Sequence, residues 1–156
     1  MDNLIEQTDR QILSNKIKSL ELSWNELYDR YKHQELRISP AYQKLFRWGE
    51  EKQSRFIESL LLEMPVLPVY VMEVNPGEYE LIDGLQRVCS YLRFRGEQLD
   101  DTQEEALVLK GCDFITDLDG KTFAQLPKAL QIKLKRSFVR VQVIRLETDL
   151  FFKYRM

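Results

Sequence analysis

The chain reads as an α+β domain, a small mixed β-sheet with helices packed against it. Three observations predict this. Alternating or β-branched stretches, such as Val69-Tyr70-Val71-Met72-Glu73-Val74 and Val139-Arg140-Val141-Gln142-Val143, are interleaved with stretches of helical period. Turn residues separate them at Asn75-Pro76-Gly77, Arg95-Gly96 and Asp119-Gly120. A length of 156 residues, 44% hydrophobic and 31% charged, suffices for one domain with a sizeable core.

Residues 1–22 carry Leu4, Ile5, Ile12, Leu13 and Ile17 at broadly helical intervals and read as an N-terminal helical arm. Its last residues, 19–22, turn into a strand. The main domain, residues 23–156, opens with Ser23-Trp24-Asn25-Glu26, a capping box that starts a helix through Leu27, Tyr28 and Tyr31. Residues 36–38 form a short strand, which Ser39-Pro40 breaks. Residues 50–63 form a helix with Phe56, Ile57, Leu60 and Leu61 on one face. Met64-Pro65-Val66-Leu67-Pro68 ends it and leads to a hairpin of residues 69–74 and 78–82. Residues 86–94 then place Val88, Cys89 and Leu92 at helical spacing.

Glu97, Asp100, Asp101, Glu104 and Glu105 make an acidic, solvated loop. Residues 106–110 are expected as a short strand and residues 128–135 as a helix. Residues 138–146 alternate, with Val139, Val141 and Val143 on one face and Arg140, Gln142 and Ile144 on the other. Thr148 and Asp149 look like the cap and first turn of a last helix, and residues 150–156 stop within its apolar pattern. The expectation is an N-terminal piece of a longer protein, or a shortened homologue. An exposed face of Phe151, Phe152 and Tyr154 would then favour association, with a homodimer as one outcome.

Composition narrows the function. Lys and Arg total 23 against 25 Asp and Glu, a net charge of −2, so a global basic field for nucleic acid is absent. Lys133, Lys135, Arg136, Arg140 and Arg145 read as a solvated face, and DNA is expected only indirectly. The single histidine, His33, and two cysteines, Cys89 and Cys112, give neither a zinc spacing, a catalytic triad nor a disulfide framework. Cys89 falls on the apolar side of its helix and reads as core. No run approaches the roughly 18 apolar residues of a membrane span, and no signal peptide is visible. The expected compartment is the cytoplasm.

The chemistry concentrates in Leu81-Ile82-Asp83-Gly84-Leu85-Gln86-Arg87, where a strand ends and a helix begins. Glycine there lets the backbone approach a ligand, and the helix start offers unpaired N–H groups and a positive dipole end. Arg87 adds a planar, permanent cation. Together they describe an anion site, best suited to phosphate. The same turn also fits a plainer reading, in which Asp83 caps the helix, Gly84 bends the chain and Arg87 is solvated. A second segment, Tyr42-Gln43-Lys44-Leu45-Phe46-Arg47-Trp48, puts cations and large aromatics just before the helix at residue 50.

The order Tyr-Gln-basic-x-x-x-Trp, helix, Ile57-Glu58-Ser59-Leu60-Leu61, Pro-x-x-Pro, hairpin and Asp-Gly-x-Gln-Arg resembles the DGQQR-motif family, the N-terminal domain of GmrSD-type restriction endonucleases. The resemblance is strong over residues 35–94 and looser elsewhere. It implies a ParB/sulfiredoxin-like fold. It also implies a domain that binds, and often hydrolyses, a nucleoside triphosphate with a divalent cation (Mg, Mn or Ca), regulating modification-dependent restriction or phage defence. Nuclease action would belong to a C-terminal effector domain beyond residue 156 or to a separate chain.

Carried over by the resemblance, Asp83, Gln86 and Arg87 are the catalytic candidates. Arg87 and the N–H groups after Gly84 would hold phosphates, and Gln86 would donate to a phosphate oxygen or position water. Asp83 would hold the divalent ion, orient Arg87 or cap the helix. Gln43 belongs to the matched first segment, where Lys44 and Arg47 would neutralise charge and Tyr42 or Trp48 would stack on a base or sit in the core. Two residues depart from the family pattern: Leu85 stands where the family has Gln, and Lys44 where it has Arg. Lys lacks the bidentate fork. The alternatives are a non-catalytic interaction module and a ParB-like DNA-binding or nuclease domain.

Overall fold

The computed structural model describes residues 3–14, 18–99 and 105–144. Its elements are α1 (Leu4–Ser14), β1 (Lys18–Ser23), α2 (Trp24–Lys32), β2 (Leu36–Arg37), α3 (Pro40–Gln43), α4 (Glu50–Leu61), β3 (Val69–Asn75), β4 (Glu78–Asp83), α5 (Leu85–Phe94), α6 (Lys128–Arg136) and β5 (Phe138–Ile144). The strands form one sheet in the order β1-β5-β3-β4-β2. β1–β5 and β3–β4 pair antiparallel, while β3–β5 and β2–β4 pair parallel. The sheet is therefore mixed, and the α+β expectation holds.

The register puts one apolar row across the sheet. Leu22 faces Val139, Val69 faces Val141, and Val71 pairs with both Val143 and Leu81. All of these are buried, and they join Trp24 and Leu27 of α2, Phe56, Ile57 and Leu60 of α4, Val88, Tyr91 and Leu92 of α5 and Leu134 of α6 in a single core. Trp24 packs edge-on to Phe56 with ring centroids 5.6 Å apart and lies 5.1 Å from Tyr91. Cys89, with no exposed surface, belongs to this core, and burial pushes its thiol up to about 12.

Local signals gave the right elements where their chemistry is local. Ser23 accepts from the Glu26 N–H at 3.0 Å while the Glu26 carboxylate accepts from the Ser23 N–H at 3.2 Å, the expected capping box. Ser39 does more than break a strand: its hydroxyl accepts from the Tyr42 N–H and starts α3, with Pro40 in the first turn.

Residues 106–110 do not form the expected strand. The Leu109 N–H donates to Lys121 and the Leu109 carbonyl accepts from Gly120, so this segment closes on the Asp119-Gly120 turn instead of entering the sheet. Ile144 is buried beside its register partner Met72. The expected helix after Thr148, together with Asp100, Asp101, Glu104 and Arg145, lies outside the described residues. No described helix is long and apolar enough to cross a membrane.

Candidate functional site

The turn between β4 and α5 demands glycine for two reasons. Gly84 has φ +101°, a left-handed conformation that side chains rarely adopt. A Cβ at this position would stand 3.1 Å from a methyl of Val69. The chain thus leaves β4 at Asp83, bends once, and starts α5 at Leu85 with its first N–H groups lacking helical acceptors. Gly84 itself occupies the cap position and no side chain caps the helix, so a capping role for Asp83 is set aside.

The Tyr42–Trp48 segment lies against this turn. The Tyr42 hydroxyl donates to the Ile82 carbonyl at 3.2 Å. Burial raises the Tyr42 pKa, Asp83's charge raises it further, and the Leu85 N–H and Arg87 act the other way. The phenol therefore sits among the motif residues. Gln86 makes the second link. Its Oε1 accepts from the N–H groups of Arg47 at 2.9 Å and Trp48 at 3.0 Å, and its Nε2 donates to the Leu45 carbonyl at 2.7 Å. One side-chain amide thus pins the backbone of residues 45–48 to the first turn of α5, leaving one amide hydrogen for any other partner.

Trp48 is half-buried, edge-on to Phe56 at 6.2 Å, with the Lys52 ammonium 4.9 Å from its ring centre. Its carbonyl accepts from buried Gln53 at 2.7 Å, and Gln53 in turn accepts from Arg93 at 3.2 Å. Gln43 is half-buried and its side chain makes no hydrogen bond among the described residues. The side chains of Lys44 and Arg47 are exposed and make no ion pair or hydrogen bond among the described residues. They are two cations on a loop fixed to the motif helix.

Arg87 is half-buried. Its guanidinium donates to the carbonyls of Leu67 and Pro68, the latter at 3.2 Å, at the end of the strap that follows α4. Burial pulls its pKa below the usual guanidinium value, while Asp83 and Tyr42 oppose the shift. Asp83 is exposed and makes no ion pair among the described residues. No three His, Cys, Asp or Glu side chains converge on a metal-sized site among the described residues. A divalent ion at Asp83 would therefore need phosphate oxygens and water to fill its shell. Leu85 is 4% exposed and packs in the core.

Glu58, matched above only as part of Ile57-Glu58-Ser59-Leu60-Leu61, has a structural role that this segment does not declare. It is 2% exposed, and its carboxylate accepts from the N–H groups of Asp113 at 3.1 Å, Phe114 at 2.9 Å and Ile115 at 2.7 Å. The signal was there: an acid on the apolar stripe of α4, one turn from Ser54 and beside Ile57. Its role is to anchor the loop around residues 111–115, which no pattern in that loop declares.

The site thus offers a glycine turn at a helix start, one half-buried arginine and two exposed cations on an adjacent, pinned loop. A family model described as "GmrSD restriction endonuclease, N-terminal domain" matches residues 24–152. No curated protein and no solved structure matches the chain.

Proposed function

Because the chain belongs to the family of GmrSD restriction endonuclease N-terminal domains, we propose that it is the nucleotide-binding regulatory domain of a restriction or phage-defence system. The observation that carries this reading is the meeting of the two motif segments at one glycine turn, through Tyr42–Ile82 and Gln86 with residues 45–48. A phosphate group at the start of α5 would take the Gln86 and Arg87 N–H groups as donors. Lys44 and Arg47 would neutralise its charge. Arg87 would turn from the Leu67 and Pro68 carbonyls to phosphate oxygens, exchanging neutral acceptors for a charged one that its planar fork can meet with two bonds.

The residues fit a triphosphate's charge better than they fit its hydrolysis. Phosphoryl transfer needs an oriented water as well as charge stabilisation. Gln86, the residue assigned to that orientation by resemblance, has both acceptor sites and one donor engaged by the loop. The second reading is therefore a domain that binds nucleotide without turnover. In either reading Asp83, exposed beside the glycine turn, would hold a divalent cation, which would neutralise charge at the phosphates. Nuclease action is assigned to a C-terminal domain or separate chain.

Thermal-shift titration with ATP, GTP, CTP and UTP, each with Mg²⁺, Mn²⁺ or Ca²⁺, tests the proposal. Stabilisation by at least one pair, reduced in Lys44→Ala and Arg47→Ala, supports it. Release of phosphate by the same samples separates turnover from binding alone. No shift with any nucleotide rejects both readings.

A further inference from the structure

The turn after α4, helix α6 and the start of β5 enclose a groove of about 850 Å³. Asp83, Gln86, Arg87, Lys44 and Arg47 are not among its lining residues, so the proposed phosphate site does not account for it. Met64, Ile132 and Phe138 line the groove and are exposed, Phe138 at 68%. An exposed apolar patch rimmed by polar groups marks a contact surface.

The charge of this groove runs against that of the chain. Its lining holds Lys133, Arg136 and Arg140 against one acid, Glu63, whereas the whole chain has a net charge of −2. α6 carries Lys128, Lys133, Lys135 and Arg136 and no acid. Lys133 pairs with Glu63 at 3.5 Å and Arg140 with Glu21 at 3.4 Å, and all four side chains are well exposed. Exposed pairs of this kind are weak, so an incoming carboxylate can displace them. Arg136 is exposed and makes no ion pair or hydrogen bond among the described residues.

We propose that the groove receives an amphipathic helix of a partner protein, apolar on the face that meets Met64, Ile132 and Phe138 and acidic where it passes Arg136 and Arg140. Backbone hydrogen bonding selects a helix over an extended peptide. The two edge strands of the sheet, β1 and β2, do not line the groove. The strap beside it offers no N–H at Pro65 or Pro68, and its Leu67 and Pro68 carbonyls already accept from Arg87. An occupant must therefore satisfy its own peptide groups, as a helix in a groove does. Nucleic acid fits less well. Met64 and Ile132 give a phosphate backbone nothing to bind, Glu63 repels it, and the chain as a whole is acidic.

Selection of a random-peptide phage library on the intact chain, followed by fluorescence anisotropy of the enriched peptides, tests this without presupposing the partner. The enriched sequences should repeat apolar residues at helical spacing and carry Asp or Glu beside them. Arg136→Glu and Phe138→Ala should each weaken their binding by roughly tenfold or more, as loss of a central arginine or aromatic contact does. Both residues are exposed, so neither substitution reaches the core, and near-ultraviolet circular dichroism checks that the fold is kept. Exchanging the peptide's acids for Lys should abolish binding to the wild type and restore it to Arg136→Glu. No enriched sequence, enriched sequences without acids, or binding undiminished in both variants overturns the proposal. So does a duplex or single-stranded oligonucleotide that binds the wild type and is lost in Arg136→Glu, which gives the groove to nucleic acid. A wild-type dimer in sedimentation equilibrium that Phe138→Ala dissociates overturns it as well, and gives the groove to a second copy of the chain.

Discussion

The Arg87 guanidinium donates to the Pro68 carbonyl at 3.2 Å, and to Leu67 beside it. The arginine of the Asp-Gly-x-Gln-Arg motif therefore holds the strap between α4 and β3 as well as facing the glycine turn. A phosphate would have to compete with two neutral carbonyls for it, and its full charge would favour the exchange. The strap and the proposed nucleotide site are thus tied through one side chain.

Arg87→Ala should accordingly do two things. It should destabilise the fold by about 1–3 kcal/mol, the range for losing hydrogen bonds made by a charged group, and it should abolish nucleotide-induced stabilisation. Arg87→Lys should recover part of the fold stability and less of the binding, because a point charge lacks the fork. Denaturant melts with and without nucleotide separate the two effects. Full stability in Arg87→Ala would show that the strap contacts contribute nothing.

Gln86→Ala should loosen the Leu45–Trp48 backbone, at a cost of roughly 1–3 kcal/mol for N–H and carbonyl groups left without partners. Trp48 reports this, since its N–H is one of the groups held. Its fluorescence should shift toward that of solvated indole in native buffer, and nucleotide binding should weaken because Lys44 and Arg47 ride on the same loop. An unchanged spectrum together with a specific loss of turnover would give Gln86 a catalytic role instead of a positional one.

Leu85→Gln introduces the residue that the resemblance to the DGQQR-motif family implies at this position. Leu85 is 4% exposed here, so the new amide enters the core and should cost about 1–3 kcal/mol unless it finds partners. A lowered melting temperature with no gain in phosphate release is the expected result. A stable variant with increased turnover would show that Leu85 lines the site.

Glu58→Ala strands the N–H groups of Asp113, Phe114 and Ile115. The expected loss is on the order of 3–5 kcal/mol, with Glu58→Gln intermediate because its carbonyl keeps part of the acceptor capacity. Limited proteolysis should cut first near Phe114, whose side chain is 69% exposed on the anchored loop. A variant as stable as wild type would mean that the loop finds other partners.

How much of this was legible follows from how local each signal is. The 69–83 hairpin, the capping box at Ser23 and the α5 start at Gly84 rest on residues within a few positions of one another, and each was readable. Glu58 acts on residues 55 to 57 positions away. Gln86 acts on backbone some forty positions before it. In both cases the residue type was visible and its partner was not. The chemistry of Gln86 and Arg87 suits phosphate, and it suits backbone carbonyls and amides equally well. Residues 106–110 misled for the opposite reason: their pattern suits a strand, but the reciprocal bonds of Leu109 with Gly120 and Lys121 close a local turn first.

The most direct test of the central claim is an ¹⁵N-resolved NMR titration of the intact chain with a nucleoside triphosphate and Mg²⁺. The account predicts saturable shifts at the amides of Gly84, Gln86 and Arg87, at Arg47 on the facing loop, and at Leu67 and Pro68's neighbour Val69 as Arg87 leaves the strap. Saturable binding that leaves the Gly84–Arg87 amides unmoved would contradict it.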